Sequence, residues 1–408
     1  MVERFFPSRT EKAPRFAYWS RLGNGLGVAN LHSIVPLIFL LAFLQSGASS
    51  DAAESGVKYT GQLSCQSSSC HGGAAPKSNQ NLVWNKFDFH SRAFAILTTS
   101  RSMRIAESLK IGVPSESGRC TICHSPFQAI PSSQLAKTAH TDEGVSCESC
   151  HGGASRWIRS HTRPDFTHQD RVNDGMRELK GAYARANVCV ACHETIDQAI
   201  LDAGHPPLVF ELDSQLVSEP PHWRENDSWA GPRAWLTGQA VALREQSWKI
   251  SIGEGSLPRY RALKWFFEQA SRHGLEIPTP PSETAQDYVQ TQHWADAVAR
   301  SAQKMKWGES ECMKLLKGLA GVDATSTGDI PEQVNRAEVL VQALDRLTVA
   351  LKKNGKRIEG IDSALNTLFA DVRDPHAFDT AQFAQHRKGV EAVPLSGTAY
   401  PTQPRSAN

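Results

Sequence analysis

The stretch Gly118-Arg119-Cys120-Thr121-Ile122-Cys123-His124 holds two cysteines three positions apart, with a histidine directly after the second. The spacing returns in Cys147-Glu148-Ser149-Cys150-His151 and in Cys189-Val190-Ala191-Cys192-His193. Two thiols one tight turn apart match the two vinyl groups on a haem edge, and thioether bonds join them. The next residue, histidine, then lies beneath the iron as an axial ligand. Cys65, Cys70 and His71 form a fourth set, with four residues between the thiols in place of two. The intervening Gln66, Ser67, Ser68 and Ser69 are small or flexible enough to bulge out while both sulfurs and the histidine keep their places. The chain therefore reads as carrying four covalent haem c groups, with His71, His124, His151 and His193 as proximal iron ligands.

Two other uses of paired cysteines fit less well. Structural zinc takes four ligands from Cys and His, whereas here each cysteine pair carries its own adjacent histidine. A disulfide framework has no need of those histidines at all. Eight of the nine cysteines fall between Cys65 and Cys192, and the ninth, Cys312, has no cysteine partner nearby and reads as a buried apolar thiol.

A low-spin haem needs a sixth ligand, and histidine or methionine is the usual donor. His90 lies in Trp84-x5-His90-x3-Phe94, which reads as an aromatic helix laid against a haem face. His161 follows His151 by ten residues, and His205 follows His193 by twelve. These three are the leading distal ligands. His140 and His168 stay open, and His222 reads as a non-ligand. Met103 and Met176 read as helix-packing side chains.

Either side of the cysteine-rich segment the character changes. Residues 1–48 hold a basic stretch, an apolar run from Ile34 to Leu44, and the small residues Ser46, Gly47 and Ala48, the order of a secretory signal. From Trp229 onward, apolar stripes recur at helical spacing. Trp235, Leu236, Ala240 and Leu243 make one, and Tyr260, Leu263, Phe267 and Ala270 a second that stops at Gly274. Tyr288, Ala295, Val298, Ala302 and Met305 form a third. The fourth runs from Val334 through Ala337, Val341, Leu344 and Leu347 to Leu351, opened by Asp329 with Glu332 and closed by Asn354 and Gly355. The expected architecture is mainly α: a signal peptide over 1–48, a haem-organised multihaem domain over 49–228, an all-α bundle over 229–392 and a disordered tail over 393–408. The boundary is expected between Ser218 and Gly231, where Pro220, Pro221 and Pro232 interrupt regular structure. Trp235, Trp265 and Trp294 read as bundle packing. His273, His293, His376 and His386 read as structural or solvated.

The whole chain has 44 Lys and Arg against 42 Asp and Glu, but residues 1–48 take five of the former and two of the latter. What remains is near neutral, and eight haem propionates would lower it by about eight charges. That excludes a field attractive to nucleic acid. Redox proteins as donor and acceptor, including a membrane-associated complex, are the partners expected.

The order of Trp84 and His90, then a Cys-x-x-Cys-His, then Gly144-Val145-Ser146-Cys147-Glu148-Ser149-Cys150-His151-Gly152 with His161 downstream, then a further site followed by His205, resembles the tetrahaem cytochrome family of the hydroxylamine-oxidoreductase electron acceptor. The likeness runs from about Tyr59 to Pro207. It departs in the longer gap at Cys65 and in the helical half from Trp229, which has no counterpart in the small family member. The resemblance implies closely stacked haem pairs and a five-coordinate second haem. It would send His161 to the first haem, leave the haem of His124 open and reactive, and share the third and fourth between His90 and His205 in either order. The function expected is periplasmic electron transfer. Reduction of a small nitrogen oxide at an open haem, or assembly into an extended cytochrome polymer, are the alternatives.

Overall fold

The computed structural model describes residues 56–76, 78–194, 196–223, 225–282, 287–394 and 398–399. The expected signal segment and most of the expected tail lie outside them. Among the described residues no helix is long and apolar enough to cross a membrane. The protein is mainly helical, as its periodicity requires, and it divides into two compact units at Arg177/Glu178.

The first unit is built of short helices: α1 (Gln80–Phe87), α2 (Ala93–Ile96), α3 (Ser100–Leu109), α4 (Gly118–His124), α5 (Cys147–His151) and α6 (His168–Asn173). Its apolar core is thin, with Trp84, Leu97, Ile105, Phe127 and Trp157 among its few large buried side chains. A unit that buries so little of its own side chain needs another apolar body at its centre. The expected single helix through Trp84 and Phe94 is broken. Asp88 adopts an extended backbone, and its carboxylate accepts from the His90 amide at 2.9 Å, turning the chain into a short 3-10 segment before α2. Met103 is also corrected: it is 46% exposed on α3 and packs no core.

The second unit opens with α7 (Ala182–His193), α8 (Gln198–Asp202) and α9 (Leu212–Ser218). It continues as a bundle of α10 (Ala230–Ser251), α11 (Leu257–Arg272), α12 (Asp287–Ala302), α13 (Glu309–Ala320), α14 (Ile330–Lys353), α15 (Ile361–Asp371) and α16 (Thr380–Glu391). The expected stripes fall on helices α10, α11, α12 and α14, except that Met305 of the third lies beyond the end of α12 at Ala302. Asp329 caps α14 by accepting from Glu332 N at 3.0 Å. Trp235 is buried, while Trp265 and Trp294 are half-buried against the core. Cys312 is fully buried, and burial pushes its thiol up to about 12. Thr398–Ala399, within the expected tail, pair antiparallel with Lys356–Arg357.

The division at Arg177/Glu178 differs from the expected boundary near residue 228, and α7 supplies the reason. Ala186 and Val190 sit in the bundle core. Asn187 and Tyr183 bind Arg244 of α10 at 2.6 and 3.3 Å, and Tyr183 donates to Asp296 of α12 at 2.5 Å. The helix bearing the fourth cysteine set is therefore a bundle helix.

Downstream, Glu211 caps α9 by accepting from Asp213 N and Ser214 N at 2.9 and 2.7 Å. It shares Arg346 of α14 with Asp213, the guanidinium lying 3.8 and 3.5 Å from the two carboxylates. Burial, with Asp213 adding to it, pushes the Glu211 carboxyl up to about 7. A carboxyl raised on folding contributes stability below the ordinary carboxylate range and loses it as pH rises through the folded value. The second unit is expected to lose at most about 3 kcal/mol of stability between pH 5 and 8, with Glu211→Gln flattening that slope. Thermal unfolding followed by far-ultraviolet circular dichroism checks it, and an equally steep slope in the variant would refute the assignment.

Candidate haem-binding site

Each Cys-x-x-Cys-His set ends a helix: α4 at His124, α5 at His151 and α7 at His193. In an α-helix the amide of residue i bonds to the carbonyl of i−4, so this motif ties its histidine to its first cysteine. The set with the longer gap keeps that tie by another route. His71 N donates to the Cys65 carbonyl at 3.1 Å, across six positions, while Cys70 N and Gly72 N both turn back to the Ser67 carbonyl at 2.8 and 3.0 Å. The two extra residues are thus taken up in a bulge. Gly72 and Gly73 make room for it, since a Cβ on Gly72 would stand 1.8 Å from the Gln66 carbonyl oxygen. The donor set at Cys65, Cys70 and His71 therefore fits a covalently held haem as the other three do.

The first set meets the loop beyond the third. The rings of His71 and His161 are nearly parallel, 18° apart, with centroids 6.0 Å from each other. Two imidazoles facing one metal ion across bonds of about 2.0 Å stand at about that separation. Both rings are oriented through Nδ1, His71 donating to Gln80 Oε1 at 2.9 Å and His161 to the Ile158 carbonyl at 2.7 Å. That tautomer leaves Nε2 bare for iron. Trp157 braces the edge of the His161 ring at 5.7 Å. The first and third sets also adjoin, because the thiols of Cys65 and Cys147 are in hydrogen-bonding contact. That contact lowers the Cys65 pKa and raises that of Cys147.

Three further candidate histidines, His124, His90 and His205, are also held through Nδ1. His124 donates Nδ1 to the Ala93 carbonyl at 2.8 Å, and burial holds its pKa down, which keeps the ring in the neutral form that a metal ligand must have. His90 Nδ1 lies 3.0 Å from the Asp88 carboxylate, and His205 Nδ1 donates to the Pro206 carbonyl at 2.9 Å. His140 belongs to a loop folded on Glu143 and lines a cavity of about 340 Å³ with Trp84, Arg92 and Asp142. His168 begins α6. His222 rests against Trp223, whose ring faces Arg185, one helical turn before Cys189. That brings a residue read as a non-ligand to the thiol-bearing side of α7.

The sequence reading missed Glu148, between Cys147 and Cys150. Its side chain is buried, and it accepts from Thr60 N, Gly61 N and Ala154 N at 2.8, 2.6 and 2.6 Å. Burial pushes its pKa up against those bonds. The visible signal was a carboxylate between two cysteines of an otherwise small, uncharged spacer. Gly144 is placed by a different need. Its φ of +74° and the His90 carbonyl, 2.6 Å from where a Cβ would sit, admit only glycine.

No curated protein and no solved structure matches the chain. Residues 64–152, less than a quarter of its length, match the family model of cytochrome c554 and c-prime. Together with thiol pairs and histidines set on helix ends, that match supports a multihaem c-type cytochrome that holds haem c and its iron covalently.

Proposed function

We propose that the protein is an exported tetrahaem cytochrome that carries electrons between periplasmic or membrane-bound redox partners. The observation that carries this reading is the parallel pair of His71 and His161, each oriented through Nδ1. An iron closed on both faces by imidazole exchanges electrons and binds no substrate. When bound, the haems supply reversible one-electron chemistry. The chain's part is to hold each ring in one tautomer, to exclude water and to set the charge nearby.

The adjoining Cys65 and Cys147 favour a close pair of haems, a short path for electrons. Four haems are expected, one at each of Cys65/Cys70, Cys120/Cys123, Cys147/Cys150 and Cys189/Cys192. Intact mass after acid and acetone extraction reads the number directly, and a three-haem product with Cys65 and Cys70 unmodified would remove the long-gap site.

A second reading, reduction of a small nitrogen oxide at the haem of His124, is favoured by the cavity beside His140. That cavity includes Arg92, next to the Ala93 carbonyl that orients His124. Arg92 and His140 would bring positive charge and a proton donor to a ligand there. Carbon monoxide binding by the reduced protein, with a high-spin signal in the oxidised one, is the expected result of an open iron. A wholly low-spin protein that ignores carbon monoxide is a pure relay.

A further inference from the structure

We infer that Lys58, Arg156 and Arg159 form a basic docking surface for an acidic redox protein, on the outer side of the loop that carries His161; this rests on the reading above in which His161 closes the first haem. Residues 155–163 hold three arginines and no acid. Within them the Ile158 and His161 amides bond back four positions, to the Ala154 and Trp157 carbonyls, at 2.8 and 2.9 Å. That helical pitch sorts the side chains. Trp157 and His161, four apart, turn to one side, where Trp157 is buried and its ring meets that of His161 at 5.7 Å. Arg156 and Arg159, three apart, share the other side and are exposed.

The main chain brings Lys58 to the same place. Its amide donates to Ser155 Oγ at 2.7 Å, and the Ser155 amide returns a bond to the Lys58 carbonyl at 3.1 Å, so exposed Lys58 stands beside Arg156. The acids nearby are spent elsewhere. Asp165 Oδ1 accepts from Arg163 Nε at 3.0 Å, and the buried Glu148 carboxylate is taken up by the Thr60 and Gly61 amides. Among the described residues no ion pair takes Lys58, Arg156 or Arg159. Unopposed like charges at this spacing add nothing to the stability of a turn. What they supply is a local field. With its haem propionates the molecule as a whole is negative and repels an acidic partner, so a basic patch on that background fixes where such a partner can touch. An acidic protein held there lies against the loop of the distal ligand, and the first haem becomes the one that exchanges electrons with it.

Isothermal titration of the full-length holoprotein with poly-L-glutamate, at about 10 mM ionic strength where charges act over about 30 Å, tests the inference. Wild type is expected to bind, and the double variant Arg156→Gln/Arg159→Gln to bind about tenfold more weakly. Lys304→Gln/Lys306→Gln, which removes as much charge from exposed lysines of the second unit, should bind as wild type does. Stopped flow gives a second readout. Ferricyanide takes one electron from a ferrous haem and becomes ferrocyanide, and this oxidation should slow in the arginine variant. Oxidation by hexaammineruthenium(III), a cation, should not. No binding by wild type, or equal loss in both double variants or in neither, overturns this inference alone when the haem complement is full. A shifted haem potential without loss of binding also overturns it, by assigning the arginines to haem propionates. So does wild-type binding to phosphatidylglycerol vesicles but not to poly-L-glutamate, which would make the patch a lipid site. A His161→Ala protein with an unchanged low-spin spectrum overturns the reading of the first haem and this inference with it.

Discussion

Glu148→Ala is expected to cost the first unit about 4 kcal/mol, more than any surface substitution there. The carboxylate sits between the thiols of the third attachment set and accepts from the Thr60, Gly61 and Ala154 amides. Truncation strands those donors in a buried place, at about 1–3 kcal/mol each, offset by the carboxylate no longer being desolvated. Thr60 and Gly61 lie five and four residues before Cys65, so the loss also loosens Cys65 from Cys147. Guanidinium unfolding followed in the Soret band reads the cost. Glu148→Gln keeps one oxygen but turns a donor toward the amides on the other side, and should lose about half as much. A Glu148→Ala protein within about 0.5 kcal/mol of wild type would mean that water takes over those amides.

The same site shows which features were legible in the sequence. Four cysteine pairs with adjacent histidines are visible in the sequence, because their spacing is a local feature of the chain. The bundle stripes could be read for a similar reason: Val334 to Leu351 repeat at the pitch of one helix, and that helix runs from Ile330 to Lys353. Glu148 could not be placed, since nothing near it in sequence says that Thr60 and Gly61, nearly ninety residues away, turn their amides toward it. The break at Asp88 was hidden by a trade-off. The aromatic spacing of Trp84 and Phe94 suits a helix, but the Asp88 carboxylate offers the His90 amide a competing bond.

The place of α7 was misjudged for a related reason. Prolines 220 and 221 mark a break in regular structure, not an edge of packing. Ala186 and Val190 look like part of a haem segment until Arg244, Gln246 and Arg259 are seen to clasp the same helix from the bundle side. A cysteine motif locates a haem along the chain. The unit that holds it is settled by the stripe on the opposite face of its helix.

His161→Ala is expected to convert one haem from low-spin to high-spin and to create a carbon monoxide site in the reduced protein. The prediction follows from the pairing of His161 with His71, 6.0 Å between ring centroids and 18° between planes. Each ring has its own Nδ1 bond, so removing one leaves the bond that holds the other. Loss of a strong axial ligand weakens the ligand field and lowers the potential barrier to a diatomic ligand on the vacated face. The ring also packs against Trp157, and its removal leaves a space that water or an added ligand can enter. His161→Met offers a thioether at the same place and should restore a low-spin signal while raising the potential of that haem. His140→Ala serves as the comparison, because His140 sits on a loop held by Glu143 and is not paired with His71. Electron paramagnetic resonance of the oxidised variants separates the outcomes. A His161→Ala protein with an unchanged low-spin spectrum would show that another residue closes the first haem, and the tetrahaem resemblance would then fail at the one ligand it placed most definitely.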